Sequence, residues 1–400
     1  MKNWSEKIKA YALKNAIEHE GRAVEGSVIS SLFHEGLNKE DVKKIISEVK
    51  KTISEVNKLK IEEQEKEFSK LERLTDKRKE REGLPPLPGA KKGKVIMRFA
   101  PSPSGPLHVG HAYTGSFSYI YVQKYGGTFY IRIEDTNPEN IYKPAYKMIQ
   151  EEAKWLFENK VKVLIQSERI PIYYKYAERL IKTGNAYVCV CESEKFKELI
   201  TSKKTCPCRK SSIKENQEKW KKMLSKTGNS FKEGEAVLRF KSDVKHKNPA
   251  MRDFPLARIN ETSHPLQGKK YRVWPLMNLA VSADDIELKM THIIRAKEHR
   301  DNAERQKLIF KALKKKFSWT AFLGRLHFKD FHLSSTRMRK SIEAGEFKAW
   351  DDPRLPTIAA LKKKYKPESF WKFSEQVGLS EVDKIMEKKE YFRLLDEFNK

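Results

Sequence analysis

Val95-Ile-Met-Arg-Phe-Ala-Pro-Ser-Pro-Ser-Gly-Pro-Leu-His-Val-Gly-His111 is the stretch on which the reading of this chain turns. Val95 to Phe99 is a short apolar run, the pattern of a buried strand. A loop shaped by proline and glycine follows, and about His108 to Tyr125 reads as a helix that opens on two histidines. Gly126-Gly127 ends that helix and Thr128 to Ile133 reads as the next strand. Strand, helix, strand is the opening of a parallel α/β sheet, whose ligands bind at the carboxyl ends of the strands. His108 and His111 share a face of a first helical turn. A helix N-terminus offers free N–H groups and a partial positive charge, both suited to phosphate. Two imidazoles there can donate hydrogen bonds to a phosphoryl group as charge develops on it. Gly110 lets a ligand come close to the backbone. A His-x-x-His pair standing alone reads as two surface histidines, so its surroundings decide.

Upstream, Gly83-Leu-Pro-Pro-Leu-Pro-Gly89 and Ala90-Lys-Lys-Gly93 read as a linker over 83–93, with a domain boundary at 82. Residues 1–82 read as all helical. Val42, Ile45, Ile46, Val49, Ile53 and Val56 fall on one helical face, with Asn38 as its N-cap. Lys58 to Glu82 mixes charge signs around Ile61, Phe68, Leu71 and Leu74, which predicts a solvated helix packed along one stripe. Downstream, helix and strand alternate to residue 190. Residues 192–234 are charged and loop-like, and read as an insertion. Strands return at Ala236 to Phe240 and Tyr271 to Trp274, and Thr291 to Arg295 precedes a helix from about Asp301. The divisions are therefore 94–190, 191–270, 271–330 and 331–400.

Lys and Arg number 82 and Asp and Glu 54, a formal charge of +28. That surplus favours a polyanionic partner such as nucleic acid. No apolar run reaches the length of a membrane span. Lys2, Glu6, Lys7 and Lys9 are incompatible with a secretory signal. Without such a signal, Cys189-x-Cys191 and Cys206-x-Cys208 read as metal ligands rather than disulfides. Four thiolates close a tetrahedral zinc site with no open position; the alternative is four reduced cysteines without metal.

Arg132-Ile-Glu-Asp-Thr136 ends the second strand and aims carboxylates at the ligand crevice. Asp135 and Thr136 read as caps of the next turn. Further on come Tyr271-Arg-Val-Trp-Pro-Leu-Met277, Asp284-Asp285 and Thr291-His-Ile-Ile-Arg-Ala-Lys-Glu298. Last are Leu333-Ser-Ser-Thr-Arg-Met-Arg-Lys-Ser341 and Ala349-Trp-Asp-Asp-Pro-Arg-Leu-Pro-Thr357.

The stretch from Arg98 to His111 resembles the signature of class I aminoacyl-tRNA synthetases, which reads His-Ile-Gly-His or a near variant. Arg98-Phe-Ala-Pro-Ser-Pro-Ser-Gly105 and Trp350-Asp-Asp-Pro-Arg354 narrow the resemblance to the glutamate/glutamine branch. It covers roughly residues 94 to 375. Residues 1–82 resemble, more weakly, the N-terminal extension of archaeal-type glutamyl-tRNA synthetases. The resemblance implies a Rossmann-like parallel-sheet catalytic domain in two halves (94–190 and 271–330). It implies an inserted domain over 191–270 that binds the tRNA acceptor end, an all-helical N-terminal extension, and a signature loop with a helical stem-contact region over 331–400.

It also implies residue roles. His108 and His111 hold the ATP phosphates, with Pro101, Ser102, Pro103, Ser104, Gly105 and Gly110 around the nucleotide. Arg98, Ala100, Ser102, Met277 and Arg295 contact the amino acid, and Glu134 holds its amino group. Two fixed arginines suit a small dicarboxylate, since the guanidinium fork matches a carboxylate. Met277 departs from the family, whose members usually carry tyrosine there. The second family signature, Lys-Met-Ser-Lys-Ser, degenerates in archaeal-type relatives to Ser-Thr-Ser-Lys. Its phosphate-binding lysine aligns with Arg337, and by literal match with Lys340. Structural zinc sits in the insertion of relatives, where the four cysteines fall.

The implied function is a cytoplasmic glutamate–tRNA ligase acting on glutamate, ATP with magnesium, and tRNA(Glu), with no membrane partner. Relatives continue into two β-barrels that read the anticodon, and nothing in this sequence resembles them. The expectation is a fragment, a separate chain that carries the anticodon-binding region, or an enzyme working without one. The alternatives are a glutaminyl-tRNA synthetase, a tRNA-modifying glutamyl transferase, and a non-catalytic RNA-binding relative.

Overall fold

The computed structural model describes residues 4–19, 21–75 and 83–400, and the chain divides into two units between residues 82 and 83. The first unit contains helices α1 (Trp4–Glu18), α2 (Glu25–His34), α3 (Val42–Val56) and α4 (Ile61–Leu71). Ile8, Leu13, Val28, Leu32 and Val49 close its core, and Ile45 and Val56 are buried as the apolar periodicity of α3 predicts. Two expectations fail here. Asn38 precedes a short 3-10 turn and makes no side-chain cap, so α3 starts at Val42 without one. Ile61 is exposed, whereas Gln64 is buried because its amide donates to the carbonyls of Gly21, Val56 and Leu59. Bonding to otherwise unpaired carbonyls there outweighs the apolar stripe. The rest of the helix expected to Glu82 lies, from residue 76 on, outside the described residues.

The second unit begins with the proline-rich run, which is no free linker. Leu84 and Leu87 are buried in the main core, and the carbonyl of Pro85 accepts from the Tyr121 hydroxyl at 2.8 Å. Then come β1 (Val95–Phe99), α5 (Val109–Tyr125), β2 (Gly127–Ile133), α6 (Ala145–Leu156), β3 (Lys162–Ile165) and α7 (Ile170–Lys182). Gly126, at φ +75°, ends α5 as expected. β1, β2 and β3 are parallel, in the order β1-β2-β3.

β4 (Ala186–Cys189), α8 (Ser193–Thr201), α9 (Ile213–Leu224), β5 (Val237–Phe240), β6 (Pro255–Ile259) and β7 (Val273–Pro275) follow. These four strands form one antiparallel sheet, β4-β5-β6-β7. The inserted layer therefore takes in β4 and β7, one on either side of the 191–270 expectation. The segment expected to be loop holds α8 and α9. Its charges mask a sparse apolar stripe (Phe196, Ile200, Trp220, Met223) that is buried.

α10 (Met277–Glu287), β8 (His292–Ala296), α11 (Arg300–Ala312) and β9 (Trp319–Leu323) return to the parallel layer. Thr291 donates its N–H to the Ile96 carbonyl at 3.0 Å and accepts the Ile96 N–H on its hydroxyl at 2.9 Å. These bonds set β8 beside β1. The chain closes with β10 (Leu326–Phe328), α12 (Ser335–Glu343), α13 (Ile358–Leu361), α14 (Pro367–Val377), β11 (Lys384–Met386) and α15 (Lys388–Phe398). The region expected to be helical thus includes one strand, β11, parallel to β10. α14 buries Phe370 and Phe373 in the main core.

Candidate active site

A cavity of 860 Å³ opens at the carboxyl ends of β1, β2 and β8, within the range of about 300–1,000 Å³ usual for ligand pockets. Arg98, Ala100, Pro101, Ser102, His108, Gly110, His111, Glu134, Met277, Arg295 and Arg337 line it together. Pro103, Ser104, Gly105 and Lys340 are not in its wall. The carbonyl of Pro103 accepts from the Tyr142 N–H at 2.8 Å. Gly105 gives α12 its seat: a Cβ there would lie 2.8 Å from that of Ser335. Lys340 follows Arg337 by almost one turn of α12 and is exposed.

His108 caps α5 with its own ring, Nδ1 accepting from the Gly110 N–H at 3.1 Å. His111 Nδ1 accepts from the His108 N–H at 3.4 Å, and the rings stack 3.8 Å apart. Burial pushes His111 down to about 4. Burial, then proximity to His111, pushes His108 well below the usual imidazole range. Both rings are therefore neutral, with Nδ1 unprotonated, and each offers Nε2–H as its donor to the cavity it lines. The segment after Trp350 holds this turn in place. Val109 N–H donates to the Pro356 carbonyl at 3.0 Å and Ile358 N–H to the Leu107 carbonyl at 2.9 Å. Glu152, buried on α6, accepts the Leu107 N–H at 2.6 Å.

The floor is a buried charge network. Arg98 grips Asp285 through Nε (2.8 Å) and Nη2 (3.1 Å), leaving Nη1 for a ligand. Arg132 bonds Asp285 at 2.6 Å and Glu134 at 2.7 Å. Asp284 accepts from Gln166, Arg169 and Tyr173. Burial works against the Asp285 carboxylate, yet the Arg98 and Arg132 guanidiniums hold it below the usual carboxylate range. Arg295 is less satisfied. Nη1 donates to Gln306 at 2.9 Å, while buried Nε has no partner among the described residues. Burial, then the neighbouring Arg98, pushes its pKa down to about 10. A buried cation with an unused donor calls for an anion.

Asp135 does not cap the next turn as expected. Its carboxylate accepts the Ser167 N–H and the Tyr146 hydroxyl, both at 2.7 Å. Sequence reasoning also gave no role to Arg132, Asp284 and Asp285. The available signal was two adjacent acids in a helical run of otherwise small and apolar residues, Leu279 to Ile286, since charge placed there must find partners. His299, His327 and His332 line the same cavity and were missed.

In the inserted layer, the thiols of Cys189, Cys191, Cys206 and Cys208 lie within 4.8 Å of one another. Sγ separations are 3.8 Å for Cys189–Cys206 and 3.7 Å for Cys191–Cys208. Tetrahedral zinc with Zn–S near 2.3 Å requires about 3.8 Å between sulfurs, so the group fits a closed structural zinc site. The Tyr187 hydroxyl, 3.5 Å from Cys206 and bonded to Asp253, and the Val190 N–H on Cys208 brace the sulfurs.

The fold and the cavity define a class. A family profile described as the catalytic domain of class I tRNA synthetases for E and Q matches residues 94–397. Glutamate–tRNA ligase of Thermococcus onnurineus is 44 % identical over 392 residues, covering 95 % of this chain and 68 % of the relative. That of Methanothermobacter thermautotrophicus is 40 % identical over 394 residues, covering 97 % and 70 %. The crystal structure of a glutamate tRNA ligase from Elizabethkingia meningosepticum superposes with a TM-score of 0.51 at 21 % identity, covering 75 % of this chain and 68 % of that one. This last likeness shows the fold alone. The chain belongs to the class I tRNA synthetases of the glutamate/glutamine branch and, within them, to the glutamate–tRNA ligases. Among the described residues no helix is long and apolar enough to cross a membrane.

Proposed function

We propose that this chain joins glutamate to tRNA(Glu) in the cytoplasm, where translation consumes the product, and that the cavity residues divide the work as follows. ATP enters as its magnesium complex. The glutamate α-carboxylate attacks the α-phosphorus, the bond to the β-phosphate oxygen breaks, and pyrophosphate leaves. The terminal ribose hydroxyl of tRNA then attacks the glutamyl carbonyl, and AMP leaves. The Nε2–H groups of His108 and His111 donate to phosphoryl oxygens as charge builds on them, and Arg337 meets the departing phosphates. Arg98, through Nη1, and Arg295 take the carboxylates of glutamate, and Glu134 takes its amino group. The protein contributes position and fixed charge.

The observation that carries this reading is Arg295: a buried guanidinium whose Nε has no partner among the described residues, in one cavity with two neutral imidazole donors. Pyrophosphate exchange with glutamate and with glutamine, each with and without tRNA, tests it. Exchange should follow glutamate, with kcat/KM for glutamine lower by roughly a hundredfold or more. A preference for glutamine, or no exchange with either, overturns it.

A further inference from the structure

The inserted layer meets the strand end beside the cavity at a buried histidine that none of the proposed steps uses. His264 lies in the loop after β6, closed by backbone bonds between His264 and Gly268. Its Nδ1 accepts the N–H groups of Leu266 (3.1 Å) and Gln267 (3.2 Å), so Nδ1 carries no proton and Nε2 does. Nε2 lies 3.0 Å from the carbonyl of Asp135 and 3.4 Å from its carboxylate. One face of the ring stacks on Trp274 of β7, with centroids 4.9 Å apart. His264 thus touches the residue after Glu134 and a residue shortly before Met277, and Glu134 and Met277 both line the cavity. A second pair of contacts follows the same path: Asn260 Nδ2 donates to Glu139 at 2.8 Å and Arg258 lies 3.5 Å from that carboxylate.

We infer that His264 is a positioning residue through which the inserted layer sets the carboxyl end of β2, and with it Glu134, for the amino acid. This rests on the assignment of Glu134 to the glutamate amino group. The Nε2–H bond fixes the Asp135 peptide, while the Asp135 carboxylate accepts from the Ser167 N–H and the Tyr146 hydroxyl. With the donor gone, the Asp135 carbonyl is left buried and unpaired, and the strand end can turn away from the geometry that Glu134 requires. The consequence falls first on glutamate, because the groups assigned to the ATP phosphates, His108, His111 and Arg337, stand on α5 and α12, and among the described residues His264 bonds to neither helix.

Three variants separate the donor from the rest of the ring. His264→Gln keeps an N–H at the Nε2 position. His264→Asn keeps an acceptor for Leu266 and Gln267 but loses the donor to Asp135. His264→Phe keeps only the stacking face. Pyrophosphate exchange in the presence of tRNA, varying glutamate and ATP separately, reads the effect, with melting temperature and zinc content confirming a folded chain. Asn and Phe should raise KM for glutamate roughly five- to tenfold, the scale of one buried neutral hydrogen bond. kcat should stay within about threefold and KM for ATP should be unchanged, while Gln should lie within about threefold of wild type. An unchanged KM for glutamate in folded His264→Asn overturns the inference, as does an equal effect of Asn and Gln. If the wild-type enzyme fails to exchange with glutamate, it is the function proposed above that falls.

Discussion

His108 and His111 show what single side chains contribute here. Each has spent Nδ1 on the helix that carries it, so its useful proton is locked on Nε2. Replacing either with Ala should lower the rate of adenylate formation by roughly 10²–10³, with a smaller effect on ATP affinity, since the donors matter most as charge develops. Single-turnover measurement of adenylate checks this, and near-normal turnover in both variants would remove the phosphate assignment. Glu152, beneath the same turn, gives a pH prediction. Burial, opposed by the Leu107 N–H, pushes its carboxyl up to about 8. The folded state therefore holds a proton that the unfolded chain releases near 4.5. The associated stability is complete below about 4.5 and is lost as pH rises toward 8. Glu152→Gln removes that dependence, so the melting temperature of the variant relative to wild type should climb from pH 5 to pH 8.5. A constant difference would show that Glu152 does not titrate in this window. The two histidines were legible because the motif is local. The partners of Arg98 and Arg132 were not, because Asp285 lies 187 and 153 residues away and no periodicity encodes such a pairing.

Among the elements, β1, β2 and α5 could be read from apolar runs punctuated by glycine and proline, and β8 from the short apolar run ahead of α11. β4 and β7 could also be seen as strands, yet a strand's own residues do not tell which sheet it joins. Ala186 to Cys189 is buried throughout, as a parallel central strand would be, but pairs antiparallel with β5. α12 was read as a loop because its cations hide its one buried apolar residue, Met338, which packs with Trp350 and Leu355. Its geometry decides between the two candidate cations. Arg337 lines the cavity and Lys340 does not, so Arg337→Ala should depress adenylate formation at least tenfold more than Lys340→Ala. The reverse order would mean that α12 turns on its axis when ATP binds. The cysteine group is likewise an element-scale device. Purified protein should hold about one zinc per chain. Replacing Cys206 and Cys208 together with Ser should release it and impair tRNA charging more than adenylate formation. Metal analysis that finds no zinc in reduced protein would rule the site out.

For the whole molecule, the decisive quantity is where the charge sits. Residues 1–82 hold 19 Lys and Arg against 17 Asp and Glu, which leaves 63 against 37 in residues 83–400. Almost the whole surplus of +28 therefore belongs to the unit that contains the cavity and the zinc-fitting cysteines. Lys and Arg that meet phosphates release condensed counterions, and each such contact adds about −0.9 to the slope of log K against log salt on duplex nucleic acid. The slope for tRNA binding should then be steep and should come from the second unit. Titrations between 50 and 200 mM salt, as rough limits, should show affinity falling by about 10³ or more if six or so phosphates are met. The full chain and a chain of residues 83–400 should give the same slope within about one unit. Backbone contacts of this kind give affinity without sequence information, so the slope should also persist with a non-cognate tRNA of the same length. If most of it vanished with residues 1–82, the nearly balanced charge of the helical unit would have to be arranged as a phosphate-binding face, and the assignment of tRNA affinity to the catalytic unit would be wrong.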